Sequence, residues 1–198
     1  MINIKKIVIA TNSEHKLKEF KELLKDYEIL TLKDIGFLSD IEETGTTFLE
    51  NALIKSRTIH NYLNSIGLDY PVIADDSGLC CDALNGEPGL FTARYAKKHD
   101  DSQANRDKLR KKLSGKDKSA YFICTIVIYY NDDTYKEFVG KTYGLITEEE
   151  KGKKDFGYDC IFYSNDLKKN FGEATDEEKN RVSHRGRAIQ QLLKELNN

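Results

Sequence analysis

Proline is scarce, with 2 residues in 198, and neither a low-complexity tract nor an internal repeat is present. Nothing therefore reads as a linker or a disordered tail. Long apolar runs are missing too. The longest, residues 121–130, is interrupted by Thr125 and is too short for a membrane span. The N-terminal residues lack a long apolar segment and a small-residue cleavage site, so no signal peptide is indicated and the cytoplasm is the expected compartment. The 4 cysteines, Cys80, Cys81, Cys124 and Cys160, form no Cys-x-x-Cys pair. That argues against a zinc site and for reduced, buried thiols. Neither sign of charge dominates. The formal net charge is −2, unlike that of a globally basic nucleic-acid binder, and neither nucleic acid nor membrane is an expected partner. The locally basic residues 106–118, with Leu109 and Leu113 four apart, read as the solvated face of an amphipathic helix. The Gly-x-x-x-x-Gly-Lys pattern of a P-loop is also absent.

What is present is a highly charged globular composition, 39% hydrophobic and 32% charged, long enough for one domain over residues 1–198, with a sizeable core. Ile7-Val8-Ile9-Ala10 reads as a buried strand. Leu17, Phe20, Leu23 and Leu24 give helical spacing over residues 14–25. A second strand is expected near residues 28–32 and an acidic loop at residues 40–45. Thr47-Phe48-Leu49-Glu50 fits a capping box, opening a helix whose buried side takes Phe48, Ala52, Ile59 and Leu63 and which Gly67 follows. Pro71-Val72-Ile73-Ala74 reads as a strand that Asp75-Asp76-Ser77-Gly78 breaks. Gly86 to Gly89 form a turn-rich loop, and Ser102 is placed to cap the basic helix. Residues 120–130 and 134–146 read as long strands, and the Asn131-Asp132-Asp133 turn makes them an antiparallel hairpin. A final helix covers residues 184–196. The mixture predicts α/β with a mixed sheet.

Five segments carry chemistry. Thr11, Asn12, Ser13 and Lys16 lie between strand and helix, where unpaired N–H groups and the helix dipole suit a phosphate; an ordinary capped surface helix is the alternative. Asp75 and Asp76, read as lying at a strand's carboxyl end, would repel unless a cation or proton compensates, and Mg²⁺ suits hard oxygen ligands; a solvated turn is the alternative. Glu42 and Glu43 could complete that site or merely accompany a helix start. Phe156-Gly157-Tyr158-Asp159 can stack on a base and bond its edge, or pack on the core. Lys179, His184 and Arg185 offer donors for phosphate or carbonyl oxygens, or are surface charge on the last helix. His60 reads as a helix-surface or partly packed residue, and neither it, His15 nor His99 receives a role.

In this order and spacing, the segments resemble the inosine/xanthosine triphosphate pyrophosphatase family of noncanonical purine nucleotide hydrolases, from Thr11 to Arg187. Further carrying stretches are Glu42-Glu43-Thr44-Gly45-Thr46-Thr47-Phe48-Leu49-Glu50-Asn51-Ala52, Pro88-Gly89-Leu90-Phe91-Thr92-Ala93-Arg94-Tyr95 and Ser183-His184-Arg185-Gly186. The resemblance implies Mg²⁺-dependent hydrolysis of ITP, dITP and XTP to the monophosphate and pyrophosphate. It also implies a homodimer, and an elongated sheet with flanking helices forming two lobes around a central cleft. By position, Thr11, Asn12, Ser13 and Lys16 match the phosphate loop, Glu42 and Asp76 the metal ligands, and Asp76 also the proton acceptor. Ser77, Phe156, Gly157, Tyr158, Asp159, Lys179, His184 and Arg185 match nucleotide-binding positions. Three positions depart from the family pattern: Ser13 stands at a usual Asn, Lys97 near a frequent Gly, and Cys160 at a common Pro. Two rivals are a phosphohydrolase using Asp75 as covalent nucleophile, whose Asp-x-Asp pattern is absent, and a non-catalytic nucleotide sensor.

Overall fold

A computed structural model of the chain describes residues 6–97, 101–130, 134–153 and 156–197. In chain order they form β1 (Lys6–Ile9), α1 (Glu14–Leu23), β2 (Glu28–Leu30), α2 (Phe48–Ser65), β3 (Val72–Cys81), α3 (Ser102–Leu113), β4 (Ser119–Tyr129), β5 (Tyr135–Ile146), β6 (Phe162–Ser164), β7 (Lys169–Asn170), α4 (Asp176–Val182) and α5 (His184–Leu196). The strands make one mixed sheet in the order β2-β1-β3-β4-β5-β6-β7. β1 runs parallel to β2 and β3, while β6 is antiparallel to β5 and β7. The α/β expectation holds. The Asn131-Asp132-Asp133 turn lies outside the described residues. The bonds flanking it still define the hairpin: Tyr130 N–H donates to Thr134 O (2.8 Å), and Ile146 N–H donates to Lys118 O (2.9 Å). That register makes β4 and β5 antiparallel.

The chain divides into two compact units. The first comprises Met1–Asp76, Cys124–Val139 and Ala188–Asn198, the second Ser77–Ile123 and Gly140–Arg187. In the first unit, strand alternation sorts β1 and β3 onto two faces. Ile7, Ile9 and Ile73 pack with Phe20 of α1, Cys124 of β4 and Ala188, Ile189 and Leu192 of α5. Val8, Ala10, Val72 and Ala74 pack with Ile59 and Leu63 of α2. The second unit has its own core, in which the rings of Phe122, Phe162 and Phe171 meet beside Leu79, Leu109 and Leu113. The four cysteines are buried, as expected. Among the described residues no helix is long and apolar enough to cross a membrane.

Caps set the helix starts. Ser13 caps α1, Thr47 caps α2 and Thr175 caps α4, each side chain accepting a first-turn N–H. Two sequence expectations shift. The cap of α3 is Asp101, which accepts from Ala104 N–H at 3.1 Å, and Ser102 is already helical. The capping box of α2 is displaced: the Glu50 carboxylate accepts from Thr46 N–H (2.6 Å) and Thr46 Oγ1 (2.8 Å), one residue before the cap.

The larger correction concerns Asp75-Asp76-Ser77-Gly78. These residues do not break the strand; β3 runs through them from Val72 to Cys81. Asp, Ser and Gly favour a turn locally. Here the two carboxylates are buried, at 1% and 9% exposure, and polar partners from α1 and α2 hold them inside. A solvated turn is excluded, and the pair sits mid-strand rather than at a strand's carboxyl end. His60 is likewise not on a surface. It is buried against the Tyr129 ring, with Asn64 Nδ2 3.0 Å from its Nε2.

Candidate active site

The first unit assembles charged groups around β3. Adjacent strand residues point to opposite faces, so Asp75 and Asp76 take different partners. Asp75 lies on the face of Ile73, towards α1 and β4. Its Oδ2 is 3.0 Å from Lys16 Nζ and 3.8 Å from Cys124 Sγ. Lys16 reaches it because Ser13 starts α1 there: Ser13 Oγ accepts from Lys16 N–H at 3.4 Å, and Thr11 Oγ1 accepts from Ser13 N–H at 3.1 Å. Serine is as good a cap as asparagine, so the departure at Ser13 keeps the helix start. Asn12 is exposed on the same turn.

Asp76 lies on the opposite face, with Val72, Ala74 and α2. Asn51 and Lys55, four apart on α2, point to it as one helix face. Asn51 Nδ2 donates to Asp76 Oδ2 at 3.0 Å. Lys55 Nζ pairs with Glu43 Oε1 at 3.3 Å. Burial pushes the Asp76 carboxyl above the ordinary carboxylate range, against the downward pull of Lys55, Lys16 and the Asn51 bond; Glu43 pushes it up further. Of the two loop glutamates, Glu43 is therefore the one whose charge Asp76 feels, while Glu42 is exposed. Among the described residues no three His, Cys, Asp or Glu side chains cluster as a ready metal cage. A buried carboxylate beside an acidic loop fits a hard cation that draws its remaining oxygens from water and phosphate, as Mg²⁺ does.

The second unit gathers the other candidates. Ser77 Oγ accepts from Arg185 Nη2 at 3.0 Å. Arg185 and His184 are 1% and 7% exposed, so they are not surface charge on the last helix. The His184 ring stacks on Phe122 at 4.8 Å and 15°. The corner that presents them needs Gly186, where a Cβ would lie 1.8 Å from Asn180 O. In the aromatic segment Tyr158 is buried, its hydroxyl donating to Thr92 O at 2.9 Å, whereas Phe156 is half-buried beneath Lys179 Nζ, 5.2 Å from the ring centre. Lys179 Nζ also pairs with Asp159 Oδ2 at 2.5 Å. Gly157 takes φ +50, the left-handed region.

Three buried groups escaped the sequence reading. Asn51 and Lys55 interrupt the apolar face of α2 between Phe48 and Ile59, which was the available signal. Arg106, taken for solvated helix surface, is 2% exposed. Its Nη1 donates to Gly157 O (2.8 Å) and its Nε to Glu150 (3.2 Å), fixing the aromatic segment. Lys97, near a frequent Gly of the family resemblance, has φ +74, in the left-handed region.

The chain is similar to known proteins over nearly its whole length. The model of the Ham1 family matches residues 7–195. A dITP/XTP pyrophosphatase of Clostridium perfringens is 45% identical, covering 98% of each chain. A dITP/XTP pyrophosphatase of Bacillus subtilis is 42% identical, covering 99% of each. The Staphylococcus aureus Ham1 protein superposes with a TM-score of 0.86 at 41% identity, covering 98% of each chain.

Proposed function

The chain belongs to the Ham1 family, and on that premise we propose that it hydrolyses ITP, dITP and XTP to the nucleoside monophosphate and pyrophosphate, with Mg²⁺ as cofactor. The observation that carries the reading is that one unit holds both a helix-start lysine, Lys16, and a buried, hydrogen-bonded carboxylate, Asp76, on which the charge of Lys16 acts. The triphosphate lies along Thr11, Asn12, Ser13 and Lys16, where helix dipole and ammonium favour an anion. Asp76 orients and deprotonates a water that attacks the α-phosphorus, and pyrophosphate leaves. A carboxyl pushed up by burial is a better base than an ordinary carboxylate. Asp76 with Glu42 would hold Mg²⁺, which when bound offsets charge on the phosphoryl oxygens. In the second unit Phe156 stacks on the base, Tyr158 and Gly157 shape its seat, and Asp159, Lys179, His184 and Ser77 set its polar edge.

Selectivity follows from donors. Hypoxanthine and xanthine carry a 6-oxo acceptor where adenine carries a 6-amino donor. Arg185, oriented by Ser77, and backbone N–H groups favour the former, since a mismatched buried donor is costly. We further propose a cytoplasmic homodimer. Its support is the family resemblance together with exposed apolar side chains such as Tyr143 and Leu145 on β5. Light scattering on the purified chain tests it, and a monomer at micromolar concentration counts against it. The decisive experiment for function is a nucleotide panel with Mg²⁺ in which pyrophosphate and orthophosphate are both quantified. Pyrophosphate from ITP, dITP and XTP, with little from ATP, is expected. Stepwise orthophosphate indicates a general phosphatase, and saturable binding without turnover a sensor. A covalent role for Asp75 is disfavoured because its carboxylate is buried against Lys16.

A further inference from the structure

One amide connects the acidic loop to Asp76. Asn51 is 2% exposed, and both ends of its side chain are used. Oδ1 accepts from Gly45 N–H at 2.8 Å, while Nδ2 donates to Asp76 Oδ2 at 3.0 Å. The orientation is fixed by chemistry. Reversed, the amide would aim its oxygen at a carboxylate and its NH₂ at an N–H. Gly45 lies two and three residues after Glu43 and Glu42, so the bond fastens the end of the acidic loop. The approach is open to glycine alone: a Cβ at Gly45 would stand 2.6 Å from Asn51 Oδ1, 2.7 Å from Glu50 Cβ and 2.9 Å from Asn51 N. The Lys55–Glu43 pair, one turn along α2, ties the same loop to the same helix face.

We infer that Asn51 is a positioning residue: through a single amide it holds Asp76 and the loop carrying Glu42 and Glu43 in one register. The inference rests on the hydrolytic reading of Asp76. No other residue type does both jobs. Aspartate keeps the acceptor for Gly45 but sets a second anion against Asp76, alanine loses both bonds, and glutamine is one methylene too long.

The test uses the full chain with Asn51→Asp, Asn51→Ala and Gly45→Ala, each checked for cooperative unfolding. Two quantities are measured: exchange of the Gly45 amide by NMR in the free protein, and kcat and KM for ITP with Mg²⁺. For Asn51→Asp, Gly45 stays protected while kcat falls about 10- to 100-fold, the usual cost of losing a partner that orients a site carboxylate. KM stays within about threefold, because substrate binding is not what the bond serves. Asn51→Ala speeds Gly45 exchange by at least about tenfold, the signature of a lost hydrogen bond, and lowers kcat at least as far. If Asn51→Ala does not fold, Asn51→Asp and Gly45→Ala carry the test, the latter with lowered kcat and preserved KM. Wild-type kcat in Asn51→Asp or in Gly45→Ala overturns the inference, as does unchanged Gly45 exchange in Asn51→Ala. A wild-type chain that releases no pyrophosphate defeats the hydrolytic reading instead, and the loop fastening is then decided by Gly45 exchange alone.

Discussion

Removing the charge of Lys16 should destabilise the protein far more than removing the charge of its partner. The Asp75 side chain is 0% exposed and that of Lys16 is 18% exposed, with 3.0 Å between the charges. Lys16→Met keeps the aliphatic stem and deletes the ammonium, stranding the buried carboxylate without it. Breaking a buried pair in this sense costs about 3–5 kcal/mol. Because Lys16 still touches water, the lower end, about 3 kcal/mol, is expected. For a chain of this length that lowers Tm by about 6–12 °C. Asp75→Asn leaves an ammonium that can turn towards solvent, so its cost stays near 1 kcal/mol, that of a weakened hydrogen bond. The double variant Lys16→Met/Asp75→Asn should recover to within about 1 kcal/mol of wild type, since neither charge of the pair remains. Urea denaturation followed by circular dichroism measures all three. Both Lys16 variants should lose turnover regardless of stability, because the proposed phosphate loop has lost its cation. Equal costs for Lys16→Met and Asp75→Asn, or no recovery in the double variant, would refute the reasoning.

Asp76→Asn should lower turnover by at least about 10²-fold, the scale of a positioned base. In metal-free buffer it should also be more thermostable than wild type at pH 8. Burial raises the Asp76 carboxyl in the folded state, so the folded chain holds the proton longer and wild-type stability falls as pH rises through that range. The difference should therefore shrink on acidification, and a Tm gain that does not change with pH contradicts it. Glu42→Gln should raise the half-saturating Mg²⁺ concentration more than Glu43→Gln; the reverse order in a Mg²⁺ titration moves the ligand to Glu43, the residue Asp76 feels more. Arg185→Ala should raise KM for ITP and narrow the ITP/ATP preference, and an unchanged ratio removes Arg185 as the discriminating donor. Lys97→Gly should stabilise by about 1 kcal/mol, the penalty of a side chain in the left-handed region, read as a raised urea midpoint.

The helices α1, α2 and α5 were legible because their signals are local: an apolar stripe at helical spacing and, for the first two, a capping residue. α4 was missed because none of its residues is buried, so it has no stripe to read. Its one mark was Thr175 three residues before Glu178, whose side chains and N–H groups cap each other reciprocally. Arg106 was misread for the opposite reason. The residues that follow it on α3 include Lys108, Arg110, Lys111 and Lys112, and the acceptor that draws it inward, Gly157 O, lies 51 residues on. Composition windows see the first fact and not the second.

The segment Asp75-Asp76-Ser77-Gly78 shows how a secondary-structure error becomes a chemical one. Read as a turn, two adjacent carboxylates can converge on one cation. Read as strand, they cannot, because alternation sends them to opposite sides of the sheet. The strand survives only because each buried charge has found partners far along the chain: Lys16 for Asp75, 59 residues away, and Asn51 for Asp76, 25 residues away. No periodicity contains that information. Once the faces are separated, so are the tasks. Asp76, with Asn51, Lys55 and Glu43 on its side, takes the proposed work on water and a metal. Asp75 holds the Lys16 ammonium at the start of α1, 3.0 Å from its carboxylate. An enzyme that must bind a tetra-anionic triphosphate gains from such a counter-ion, because the lysine is then already ordered and the entropy of fixing it is not charged against substrate binding.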